Sequence, residues 1–277
     1  MTGLSPRTVV PFAALVLVFV ASGTYALNFS PLVSTIDLDG SRARQRYTLS
    51  NPGREPVAVE VSAVTRQIDE YGMEHNSPTD GLAVYPSQIV LDGGERQTVL
   101  VEWVGGEIES ERAFRIIAEQ VPVSFGDDGS SRARLRMSFR YVTSLYVRPP
   151  GTAARVSATS ARIVTGTPDG AVDADDGDAE IDTPAEARFV EITLENSGSR
   201  HKRLRDLTVR VSLPSDNGEE RERLEWHGET APVRAGERSD VLTGVILPDT
   251  TRRLRIPLPE EYLHLSESSD LAVTLLE

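Results

Sequence analysis

Chemistry near neutral pH draws on thiols, imidazoles, paired carboxylates and activated hydroxyls, and this chain is sparing with most of them. It has no cysteine, which removes disulfides, thiol nucleophiles, zinc–thiolate sites and iron–sulfur ligation. Its four histidines, His75, His201, His227 and His264, are far apart. No HExxH, EF-hand loop, GxSxG, Walker loop or GxGxxG is present. The acidic stretch 168–186 (PDGAVDADDGDAEIDTPAE) could suggest calcium, but the EF-hand order fails. Counted from Asp173, Gly177 falls at position five and Pro184 at position twelve. That stretch reads as a solvated loop. His75 beside Glu74 reads as a loop pair, and His201-Lys202-Arg203 as a basic turn in an acidic chain. Trp103 and Trp226 read as packing side chains. No carboxylate pair is spaced for acid–base work. No enzyme, cofactor, metal or small-molecule substrate is expected.

The elements that must position any site are strands. The 277 residues suffice for two domains, and 39% hydrophobic with 26% charged residues is a globular composition. The formal charge of −13 argues against nucleic acid as a partner. Residues 1–26 read as a secretory signal: Arg7, an apolar run of about 13 residues, and small residues ending at Ala26. The run is short for a membrane span of about 20 residues. Loss of Arg7 would take the chain from −13 to −14.

After Leu27, short alternating runs recur at 45–50, 57–64, 98–104, 114–121 and 134–147. Asp39-Gly40, Asn51-Pro52-Gly53, Tyr71-Gly72, Asp92-Gly93-Gly94 and Gly126-Asp127-Asp128-Gly129 punctuate them. This spacing predicts an immunoglobulin-like sandwich. Pro149-Pro150-Gly151 breaks the pattern and marks a domain boundary. Strands restart at 154–165, 188–195, 207–213, 241–247, 252–257 and 271–276. The expected organisation is a signal peptide at 1–26, an N-terminal sandwich at 27–149, and a C-terminal sandwich at 150–277 carrying the acidic loop.

The most informative segment is 132–148, RARLRMSFRYVTSLYVR. Ala133, Leu135, Met137, Phe139, Tyr141, Thr143 and Leu145 fall on one face of an extended chain, and Arg132, Arg134, Arg136, Ser138 and Arg140 on the other. Its 17 residues exceed a typical strand of about five or six. Two readings stay open on pattern alone. Either the apolar set all serves the home core, or part of it is offered elsewhere.

Over 27–150 the chain resembles the N-terminal domain of PapD-like periplasmic pilus chaperones. The resemblance rests on several segments in order. They are Leu38-Asp39-Gly40 followed by YTLSN (47–51), Pro56-Val57, and Val84-Tyr85-Pro86-Ser87 before Leu91-Asp92-Gly93-Gly94. They continue with 98–101, ERAFRIIAEQVP (111–122), and the long last strand ending Val147-Arg148-Pro149. In the second half, EITLENS (191–197) with Leu204 and Leu207 resembles the start of the family's second domain.

The resemblance implies two immunoglobulin-like sandwiches in an L, with pilus subunits and an outer-membrane usher as partners and a periplasmic location. It also implies donor-strand complementation, in which the long strand completes a subunit's sheet. Aligned back from Arg148, the donated side chains would be Leu135, Met137 and Phe139, with Tyr141 as a further candidate. The family's two basic cleft residues fall on Thr35 and Ser144, neither charged, with Arg140 and Arg42 as substitutes. Glu111 and Arg148 fall on an interdomain salt bridge, with Asp270 a candidate third member. The competing expectation is a secreted two-domain immunoglobulin-like binding or structural module.

Overall fold

The computed structural model describes residues 27–39, 43–122, 138–166, 187–213, 223–227, 244–267, 269 and 271–276. The expected signal at 1–26, the acidic loop, Arg42, Leu135, Met137 and Asp270 lie outside them.

Alternation writes most of the first ten strands, the polar β5 excepted. β1 (Asn28–Ser30), β2 (Val33–Asp37), β3 (Arg44–Ser50), β4 (Val57–Ile68) and β5 (Glu74–Pro78) come first. β6 (Leu82–Tyr85), β7 (Gln88–Leu91), β8 (Arg96–Trp103), β9 (Arg112–Val121) and β10 (Arg140–Arg148) follow. One sheet runs β1-β3-β8-β6; the other runs β2-β10-β9-β4-β5, with β7 also pairing β4. Their inner faces close on Phe29, Ile36, Tyr47, Leu49, Val59, Val61, Val99, Val101, Phe114, Ile116 and Leu145. Phe29 stacks on Tyr47 at 5.1 Å.

The second unit contains β11 (Val156–Gly166), β12 (Ala187–Asn196), β13 (Lys202–Arg203), β14 (Thr208–Ser212) and β15 (Arg223–His227). It ends with β16 (Val245–Ile246), β17 (Thr250–Pro257) and β18 (Ala272–Leu276). Three small sheets, β11-β12-β17, β13-β16 and β15-β14-β18, enclose a separate core around Val190, Ile192, Leu194, Leu204, Val209, Val211 and Trp226. The chain is thus all-β with two immunoglobulin-like sandwiches. Between them, Gly151 takes φ +76°, a backbone state glycine adopts without penalty.

The same device closes one turn in each unit. The buried Asn51 amide donates to the carbonyls of Glu55, Leu91 and Asp92, while its Oδ1 accepts the Gly53 N–H. The buried Asn196 donates to Arg200, Ile246 and Leu247 and accepts from Gly198. A Cβ on Gly198 would stand 2.4 Å from the Ala153 carbonyl oxygen, so only glycine lets this turn pack against the linker.

The structure revises two expectations. EHNSP (β5) is a strand, not a loop, and it puts Glu74 and His75 on opposite faces. His201 is not part of a solvated turn; it is packed against the first unit, as described below.

Candidate functional site

Pairing along β10 changes halfway. On one side β9 accompanies it from Arg140 to Val147. On the other side β2 runs parallel to it only from Ser144 to Arg148. From Arg140 to Thr143 that second edge has no strand partner among the described residues, so its N–H and C=O groups are open to another chain. Tyr141, Thr143 and Leu145 point into the home core, as their register with Ala118, Ile116 and Phe114 requires. Tyr141 is therefore not a free donor side chain. It packs on the home core and its hydroxyl donates to the Leu27 carbonyl. Phe139, just before the strand, is half-buried on the same face, and its carbonyl accepts from the Gln120 N–H at 2.9 Å.

The opposite face of this sheet carries a polar band. Register aligns Thr35 on β2 with Tyr146 on β10, Ser144 with Arg115 on β9, Arg115 with Val64 on β4, and Arg66 with Asn76 on β5. Neither Thr35 nor Ser144 is a cation, yet cations arrive from the neighbouring strands. Arg115 Nη1 donates to Ser144 Oγ at 2.6 Å, and Arg66 Nη1 to the Tyr146 hydroxyl at 3.1 Å. Glu74 holds both. Its Oε1 accepts from Arg115 Nε at 2.7 Å, and its Oε2 meets Arg66 Nε at 2.8 Å and Arg115 Nη2. Burial pushes the Glu74 carboxyl up, but Arg115 and Arg66 more than reverse this and hold it at about 2. Arg140, offered by the sequence as a substitute, is instead exposed and lies 3.4 Å from Glu119.

The two units meet beside this band. Glu111, with a side chain 1% exposed, accepts from Arg148 Nε at 2.8 Å. It also accepts the His201 backbone N–H at 3.1 Å and contacts His201 Nδ1. The Glu111 N–H donates to the Ser199 carbonyl at 2.9 Å. Burial raises the Glu111 carboxyl and the His201 and Arg148 contacts lower it, with a net shift downward. The His201 ring stacks on Tyr146 at 3.9 Å. Among the described residues His201 joins the Glu111–Arg148 bridge from the second unit, and Asp37 reaches Arg148 Nη1 at 3.7 Å from the first.

A second contact lies at the tip of the β4–β5 hairpin. The Arg253 N–H donates to the Glu70 carbonyl at 2.6 Å, and the two side chains pair at 2.9 Å. Arg253 also lies over the Tyr71 ring, 5.7 Å from its centre. Arg253 stands with Arg162 and Arg255 around the buried Glu191, whose carboxyl is raised by burial and lowered by Arg162 and Arg255, netting downward. A cavity of about 840 Å³ lies between the two contacts, lined by Trp103, Ile108, Phe114, Leu247 and Pro248 among others.

The sequence reading missed Arg66, Arg115, Glu74 and His201 as a group. Period two places each residue on a face, but only the strand register shows which neighbours meet.

Residues 29–153 match the family model described as the pili and flagellar-assembly chaperone, PapD N-terminal domain. No curated protein matches the chain. Among solved structures it is similar to the CsuC–CsuE chaperone–tip adhesion subunit pre-assembly complex from archaic chaperone-usher Csu pili of Acinetobacter baumannii. That match has 11% identity over 90% of this chain and 97% of the other, with a TM-score of 0.51. The class 5 fimbriae chaperone CfaA matches at 11% identity over 90% and 99%, also at 0.51. A chaperone–tip adhesin complex of CFA/I fimbriae biogenesis matches at 9% over 90% and 98%, again at 0.51. Identities this low establish a shared two-domain fold. Residues 29–153 thus match the N-terminal domain of the PapD-like pilus-assembly chaperones, and the two-sandwich fold is the one seen in those solved chaperone structures.

Proposed function

We propose that this chaperone works in the periplasm, captures pilus or fibre subunits by donor-strand complementation, and passes them to an outer-membrane usher. The signal at 1–26 would deliver it there, and the mature chain would divide into 27–149 and 150–277. The observation that carries the reading is the open edge of β10 from Arg140 to Thr143. A subunit strand laid along it would gain backbone hydrogen bonds. Leu135, Met137 and Phe139 would fill the subunit's groove, each worth about 1.5–3 kcal/mol of burial before ordering costs. The Arg115–Arg66 pair would take over the carboxylate-gripping role for which Thr35 and Ser144 lack charge. A guanidinium offers a carboxylate two parallel bonds where a hydroxyl offers one.

The test is substitution in the donor segment. Met137→Arg and Phe139→Arg are expected to abolish co-purification with the pilus subunits of the same genome. Their melting temperatures should stay within a few degrees of the parent. If these variants unfold instead, the segment belongs to the home core and the donor reading fails.

A further inference from the structure

Glu74 occupies the place that a visiting carboxylate would take. Its two oxygens receive the side-on grip of the Arg115 guanidinium through Nε and Nη2, while Oε2 also accepts from Arg66 Nε. This is the two-point geometry by which arginine recognises carboxylates from other molecules. One carboxylate serves two guanidiniums that are only 10% and 18% exposed, so the cluster keeps a net positive charge with little water around it. Such a setting favours an anion.

The arginines have further holds, on the Tyr146 hydroxyl and on Ser144 Oγ, and these do not involve Glu74. Glu74 is delivered differently. It lies on β5, which pairs with β4 alone and is exposed at every position after Glu74. The strand that carries the carboxylate is thus the one most able to withdraw it.

We propose that Glu74 is the resident occupant of a carboxylate site built by Arg66 and Arg115, and that a partner's carboxylate enters by exchanging with it. The proposal rests on the capture reading above and adds a competitor to it: the free chaperone holds its own anion, so only a partner that also docks along β10 gains enough to displace it.

The test uses the free protein and acetate as probe. The Nε–H resonances of Arg66 and Arg115 are followed by NMR during acetate titration, with acetamide and chloride at matched ionic strength as controls. In the parent chain acetate should leave both signals in place. In Glu74→Ala and Glu74→Gln it should shift both saturably, with apparent affinity at least about tenfold tighter than in the parent. Acetate, but not chloride, should also raise the melting temperature of Glu74→Ala. Equal acetate response in parent and variants, or no selective response in either, overturns the proposal. Should Glu74→Ala fail to fold in chloride, refolding in acetate alone supports it, and failure in both overturns it. N-acetylalanine and N-acetylglutamate amide then separate a chain terminus from an acidic side chain as the source; a preference for either over acetamide supports the exchange. Because no subunit is present, this titration can fail while capture succeeds, and the reverse.

Discussion

At the scale of single residues, two asparagines and three carboxylates each gather several polar partners. Asn51 and Asn196 each satisfy three carbonyls at a strand end, and their Oδ1 atoms accept one N–H (Gly53) and two (Gly198 and Arg155) respectively. Replacing either by alanine would strand buried carbonyls, so Asn51→Ala and Asn196→Ala should each cost about 2–4 kcal/mol in urea unfolding. The carboxylates set the acid limit. Glu74, Glu111 and Glu191 all have folded pKa values below their ordinary ones. A carboxyl shifted this way adds stability that is complete above its unfolded pKa and is lost as pH falls through its folded one. For Glu74 that window runs from its ordinary value of 4.5 down to about 2. Discounted for its 25% exposure, its share is roughly 2 kcal/mol. Unfolding free energy measured against pH should therefore fall below about pH 4.5 and less steeply in Glu74→Gln; identical slopes would remove Glu74 from this account.

At the scale of elements, legibility in the sequence followed the pattern of burial. β3, β4, β8 and β9 were readable because one face is buried and the other wet, so apolar and polar residues alternate. β5 was not readable. EHNSP is polar throughout, since this edge strand leans on β4 without covering the core. The repeated Asn turn did leave a trace: TLSNPG at 48–53 and TLENSG at 193–198 are the same strand end and the same turn. The arginine band left none. Arg115 and Ser144 lie 29 positions apart and meet only through the register of β9 with β10. Thr35 and Ser144 lie on β2 and β10, whereas the cations beside them lie on β9 and β4, so a search along the first two strands alone could not find them.

At the scale of the whole molecule, the two sandwiches touch through a buried bridge and an outlying hairpin. Glu111, Arg148 and His201 form the first contact, and Glu70 with Arg253 the second. The hairpin contact is half-exposed, so its ion pair alone contributes about 0.2–1 kcal/mol, but it adds a second point of attachment away from the Glu111 bridge. Glu70→Arg should loosen the pairing of the units, and Glu70→Arg with Arg253→Glu should restore it. Small-angle scattering would read this as a rise and recovery in radius of gyration, with the melting temperature nearly unchanged. No rise in the single variant would leave the bridge at Glu111 as sufficient on its own.

The junction of β2 with β10 has a further consequence. β2 closes the edge at Ser144 with Leu32 and Val33 exposed beside it, and among the described residues Arg140–Thr143, about 13 Å of strand, have no strand on that side. Any chain that zips along those four residues runs into a wall at Leu32 and can travel no further. Its end is then parked next to Ser144 and Arg115 whatever its sequence. A sheet so built would measure an incoming segment by length before any side chain is read.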